Sequence, residues 1–142
     1  MYSGDRDQMR QVFFDAWRKF QAGEDLQPVE QMVAQVIQQH PEYHRLLEQP
    51  ETGRFREFLP EGGETNPFLH MGMHISLLEQ FSTDRPGGIS ELYRQLCQRL
   101  GDAHEADHQM MECLGRVLWE AQSAGRMPDE LAYLECVRRL VG

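Results

Sequence analysis

The chain has 142 residues, a net charge of −9 and a pI near 5.1. That length suits one compact domain, and an acidic surface cannot neutralise phosphate, which argues against nucleic acid and anionic membrane as partners and favours a cation. No window approaches the roughly 18 apolar residues of a membrane span, and the opening residues carry no apolar leader core. Three cysteines, Cys97, Cys113 and Cys136, are an odd number without Cys-x-x-Cys spacing; they read as reduced, near-core side chains of a cytoplasmic protein.

The apolar period is helical nearly throughout. Met9, Val12, Phe13, Ala16, Trp17 and Phe20 follow i, i+3, i+4 spacing after candidate caps at Ser3 or Asp5, and Gly23 ends this first helix. Pro28 opens a second, with Val29, Met32, Val33, Val36 and Ile37 on its stripe. Pro41 breaks or kinks it, and a short turn follows to about Glu48, carrying Tyr43, Leu46 and Leu47. Residues 49–65, rich in Pro and Gly, read as a long irregular connection. Asn66 as cap and Pro67 at the first helical position start a helix running to about Phe81. After the turn at 84–88, Ile89, Leu92, Tyr93, Leu96 and Leu100 form a shorter helix that stops at Gly101. Asp102 with Glu105 makes a capping-box start for a long helix to Ala124, closed by Gly125. A last helix opens near Pro128 with Leu131, Leu134, Val137 and Leu140. The expectation is an all-α bundle of about five to six helices with a four-helix core.

All six histidines fall into i, i+4 pairs: His40 with His44, His70 with His74, and His104 with His108. On a helix both rings of such a pair leave the same face. At about 100° per residue, His74 lies about 40° from His70, and both fall inside the apolar stripe with Leu77, Leu78, Met71 and Phe81. A buried imidazole needs a hydrogen-bond partner or a metal. His104 sits in the first turn of its helix, where the dipole disfavours imidazolium and so favours the neutral, ligating form. Glu112 continues the His104, His108 stripe by one turn, Glu105 stands at Glu-x-x-His spacing before His108, and Asp107 lies nearer the apolar side. The bland reading of each pair is a polar core or flank residue bonded to carbonyls and carboxylates. For His40 and His44 that reading is preferred: Pro41 disfavours helical geometry at His40, which suggests surface residues at a bend. No Gly-rich phosphate loop, G-x-S-x-G elbow, HExxH or CxxCH is present. Met9, Met32, Met71 and Met110 sit at core spacing and read as packing.

The opening Asp5-Arg-Asp-Gln-Met-Arg-Gln-Val-Phe-Phe14, the segment Glu64-Thr-Asn-Pro-Phe-Leu-His-Met-Gly-Met-His74 and the segment Gly101-Asp-Ala-His-Glu-Ala-Asp-His-Gln-Met-Met-Glu112 resemble bacterial family 1841 of the domains of unknown function over nearly the whole chain. The resemblance implies a small cytosolic bacterial protein and no particular activity. A looser likeness to hemerythrin-like and DinB-like bundles implies a metal held inside the bundle. The late histidine-to-aspartate spacing of hemerythrins has no counterpart after Glu112.

Two functional readings follow. In the first, His70 and His74 face His104 and His108, Glu112 or Asp107 adds oxygen, and these side chains hold a divalent transition metal, Zn, Fe, Mn or Ni. In the alternative the protein is a non-enzymatic interaction module without metal, its histidines are polar core or surface residues, and Phe55 and Phe58 serve a protein partner or a second copy. The sequence does not reveal a reaction.

Overall fold

The computed structural model describes the backbone of residues 2–53 and 66–142 and the side chains of residues 8–51, 53 and 66–142. It is all-α, with no strand among the described residues. In chain order the elements are α1 (Tyr2–Ala22), α2 (Pro28–Gln38), a 3₁₀ turn (Pro41–Tyr43), α3 (His44–Leu47), α4 (Pro50–Gly53), α5 (Pro67–Thr83), α6 (Ile89–Leu100), α7 (Ala103–Ala124) and α8 (Glu130–Val141). The chain divides into two compact units, Met1–Ile75 and Ser76–Gly142, with the boundary inside α5.

In the first unit α1 packs on α2 and on α3. The apolar face of α2 buries Val33, Ala34, Val36 and Ile37. Its first turn is held by the backbone N–H of Gln27, which donates to Glu30 Oε1 at 2.8 Å, and Lys19 of α1 reaches the other oxygen of Glu30 at 2.8 Å. That ammonium and the Gln27 amide hold the Glu30 carboxyl below its ordinary pKa.

The buried stripe of α1 differs from the one expected. Phe13, Phe14, Ala16 and Trp17 are buried, whereas Met9, Val12 and Phe20 are exposed and Arg10 is only 2% exposed. The Arg10 guanidinium lies 4.6 Å from the centroid of the Phe68 ring and donates to the Gly53 carbonyl at 3.2 Å. A planar cation that finds both a ring face and a carbonyl tolerates burial that periodicity alone would not assign to it. Phe13 and Phe14 approach the same Phe68 ring at 5.7 and 5.8 Å between centroids. Gly53 fits here because a Cβ would come within 2.9 Å of Leu46 Cδ1 and 3.0 Å of the Phe14 ring.

Several boundaries depart from expectation. α1 starts at Tyr2, ahead of both Ser3 and Asp5. A helical turn, α4, occupies the start of the connection expected to be irregular; the remainder of that connection, with Phe55 and Phe58, lies outside the described residues. α8 is capped by Asp129, whose carboxylate accepts from the Ala132 amide at 3.0 Å, and starts at Glu130 rather than near Pro128. Leu131 is 77% exposed, because the buried stripe of α8 runs through Tyr133, Leu134 and Val137.

In the second unit α6, α7 and α8 pack against one another around Leu96, Met110, Val117, Leu134 and Val137. Gly101 and Gly125 close α6 and α7 in the left-handed conformation, at φ 69° and 66°, that glycine adopts without steric cost. The expectation of three reduced cysteines is corrected: Cys113 and Cys136 form a disulfide joining α7 to α8, and Cys97 is free. Packing of α7 on α8 brings together two thiols 23 residues apart, a pairing no local spacing reveals.

Two outcomes follow from this packing. Closing a loop of that length stabilises a fold by about 3 kcal/mol, so denaturant unfolding with and without a phosphine reductant will show a loss of that order on reduction. Replacing Arg10 by Ala removes the Gly53 hydrogen bond and the cover over Phe68, and unfolding midpoints will register a cost of about 2–3 kcal/mol.

Candidate metal centre

The centre begins at the end of α2. Pro41 excludes helical geometry at the residue before it, and His40 accordingly leaves the helix at φ −127°, ψ 68°. The last carbonyls of a helix lack intrahelical partners. At the end of α2 the Val36 and Ile37 carbonyls accept short-range amides, from Gln39 at 3.1 Å and His40 at 3.0 Å, and each takes an imidazole as well: His40 Nδ1 donates to the Val36 carbonyl at 2.7 Å and His44 Nε2 to the Ile37 carbonyl at 2.8 Å. A carbonyl only accepts, so each bonding nitrogen carries the proton. In a neutral His40 ring this makes Nε2 the lone-pair nitrogen, and that atom is buried and without a hydrogen-bond partner among the described residues.

α5 supplies the other two rings. The Asn66 side chain caps it, accepting from the amides of Phe68 and Leu69 at 3.0 and 3.3 Å. Phe68, Met71 and His74 follow at three-residue steps and all are buried. Phe68, set against Phe13, Phe14 and Arg10, fixes the rotation of the helix, and His70 and His74 consequently meet His40. The ring centroids are 5.1 Å apart for His40 and His70, 4.9 Å for His40 and His74, and 4.9 Å for His70 and His74.

One ligand nitrogen from each of the three lies within 4.8 Å of the others. Tetrahedral ligation at about 2.0–2.1 Å requires donor separations of about 3.3 Å, a contraction within reach of small side-chain rotations. His40 and His74 are each 4% exposed, while His70 is partly open. The cluster therefore could hold a metal, largely shielded from water. Tyr43 stacks on His40 at 5.5 Å and meets the edge of His70 at 6.3 Å; burial, then the neighbouring Glu42, pushes its phenol above the ordinary pKa, so it stands beside the cluster as a neutral hydroxyl. His44 is turned to another use, its ring 4.5 Å from that of Trp17.

His104 and His108 lie in the second unit, on the opening turns of α7, with ring centroids 4.2 Å apart. The Asp102 carboxylate caps the helix by accepting from the His104 amide at 2.9 Å. Asp107, between the two rings in sequence, is half-buried; burial raises its pKa, while the Tyr93 hydroxyl donating to it and the two imidazoles act the other way. Tyr93 is itself pushed up, by burial first and then by Asp107, and its ring stacks on Phe81 at 3.7 Å. Glu112 is exposed. Glu105 is exposed too and accepts from Gln109 Nε2 at 3.1 Å.

The family model described as "Domain of unknown function (DUF1841)" matches residues 5–139. The chain belongs to the DUF1841 family. No curated protein and no solved structure matches it. The DUF1841 match supports the first resemblance seen in the sequence; the looser likeness to hemerythrin-like bundles gains no match.

Among the histidines of this DUF1841 chain, His40 departs from the surface position expected of it. It is buried in the cluster rather than lying on the surface at a bend. Pro41 as a helix breaker argues for the surface, yet the apolar stripe of α2 carries the contrary signal, since Val33, Val36 and Ile37 are followed on the same face by position 40.

Proposed function

We propose that the protein binds a divalent transition metal through His40, His70 and His74. The observation that carries this reading is His40 Nε2: a buried nitrogen with no hydrogen-bond partner among the described residues, in a ring grouped with two further imidazoles, its tautomer set by the Val36 carbonyl. A buried polar atom left in this state costs roughly 1–3 kcal/mol, and an ion removes the cost. A hydrogen bond from Nδ1 to a backbone carbonyl is also the support that metal-bound histidine ordinarily has. A metal-free interaction module leaves that nitrogen unexplained.

Three imidazoles without thiolate suit Zn, Fe or Ni better than Mn, which prefers oxygen ligands. Three protein ligands also leave a position for water or a small anion, the arrangement of catalytic rather than closed structural sites. A metal there would supply Lewis-acid chemistry to whatever occupies that position. His40 and His74 would hold the ion from the buried side, and partly open His70 would border the approach. The reading includes a cytoplasmic setting, where cellular thiols would keep Cys113 and Cys136 as a dithiol; none of the three ligands depends on that pair.

The test is metal analysis of tag-free protein combined with thermal unfolding. His40→Ala and His74→Ala will each lose one bound equivalent, whereas His44→Ala will keep it. A metal present at about 100 times its Kd stabilises the fold by about 2.7 kcal/mol, so the midpoint will rise with metal and fall with chelator. Metal content unchanged in both His40→Ala and His74→Ala overturns the proposal.

A further inference from the structure

A cavity of about 220 Å³ opens within the second unit, where the end of α5, the turn before α6, the middle of α7 and the start of α8 come together. Leu114 and Val117 of α7, Tyr133 of α8 and Pro86 of the turn give it an apolar lining. Val117 and Tyr133 are buried, so this lining belongs to the packed core of the unit. Pockets for drug-sized ligands run to roughly 300–1,000 Å³, and the smaller volume here restricts the occupant to a molecule of few heavy atoms.

Charged groups of both signs border the same cavity: Arg85 from the turn before α6, and Asp129 and Glu130 from the start of α8. Asp129 spends one oxygen on the Ala132 amide at 3.0 Å. The side chains of Arg85 and Glu130 are exposed and make no hydrogen bond or ion pair among the described residues. Opposite charges therefore share one cavity without closing on each other. Gln80 adds a polar group at the end of α5. The Tyr133 hydroxyl donates to its Oε1 at 2.7 Å, which uses the amide oxygen and leaves the amide nitrogen as a donor. A guanidinium with an amide donor suits a carboxylate, and an unpaired carboxylate suits an ammonium. A purely anionic ligand meets repulsion from Asp129 and Glu130, and a purely cationic one from Arg85. A small zwitterion with a hydrocarbon body satisfies every part of the lining.

We propose that this cavity binds a free α-amino acid with an aliphatic side chain of leucine size. Arg85 and Gln80 take its carboxylate, Glu130 takes its ammonium, and Leu114, Val117 and Tyr133 take its side chain. All of these residues lie in the second unit, so the site does not depend on the three-histidine cluster.

The experiment is calorimetric titration of the tag-free full chain, stripped of metal by chelator and desalted, with L-leucine as the probe. One equivalent will bind. Isocaproate, which lacks the ammonium, and isoamylamine, which lacks the carboxylate, will each bind at least about tenfold more weakly. Arg85→Ala and Glu130→Gln change exposed side chains; circular dichroism will show their helicity intact, and each will lower leucine affinity about tenfold or more. His74→Ala will keep full affinity, which separates this cavity from an amino acid held on a metal ion. Absence of leucine binding at millimolar concentration overturns the proposal, and so does affinity unchanged in either Arg85→Ala or Glu130→Gln. Isocaproate binding as tightly as leucine overturns the zwitterion assignment. Loss of leucine binding in His74→Ala places the amino acid elsewhere and overturns the site as well. Metal content is read separately, so failure of the three-histidine reading leaves these outcomes unchanged.

Discussion

Where α2 stops decides what the first unit can bind. A helix continued through position 40 would carry the next side chains around its axis. Pro41 prevents this. The carbonyls of Val36 and Ile37 then take imidazole donors at 2.7 and 2.8 Å. One of those bonds sets the tautomer of His40 and leaves its other nitrogen as a buried acceptor without a hydrogen-bond partner among the described residues. A helix end thus becomes one wall of a candidate ion site, with backbone oxygen as its outer support.

The other wall depends on aromatic packing. Phe68 is gripped by two phenylalanines of α1 and faced by the Arg10 guanidinium, and this fixes the rotation of α5 half a turn before His70 and less than two turns before His74. Arg10 also ties α1 to the Gly53 carbonyl. The site therefore rests on a cation that the hydrophobic pattern would have left on the surface. Its burial is tolerable because the guanidinium has a hydrogen-bond acceptor and a ring face within reach, and because Arg sheds water more readily than Lys.

The two units solve their local problems differently. The first adds imidazoles on helix-end carbonyls to its conventional caps; the second relies on carboxylates of Asp102 and Asp129 capping α7 and α8 and left-handed glycines closing α6 and α7. The second also crosslinks α7 to α8 through Cys113 and Cys136. Its histidines stand near a capped, solvent-facing helix start, in contrast to the buried rings of the first unit. The histidines of the two units thus differ in exposure.

The sequence by itself determined the helices and most of their ends. Periodicity, Pro28, Asn66 with Pro67, Asp102 and the glycines at 23, 101 and 125 act within a few residues, so their effects can be read locally. It also singled out the histidine pairs, because i, i+4 spacing has one geometric meaning on a helix. Only the tertiary structure decided that His40 joins His70 and His74 while His44 turns to Trp17, that Arg10 is inside while Met9 is out, and that Cys113 finds Cys136. Each of these depends on side chains from elements distant in the chain arriving at one place. Such meetings are set by which faces pack together, and spacing along a single helix carries no record of them.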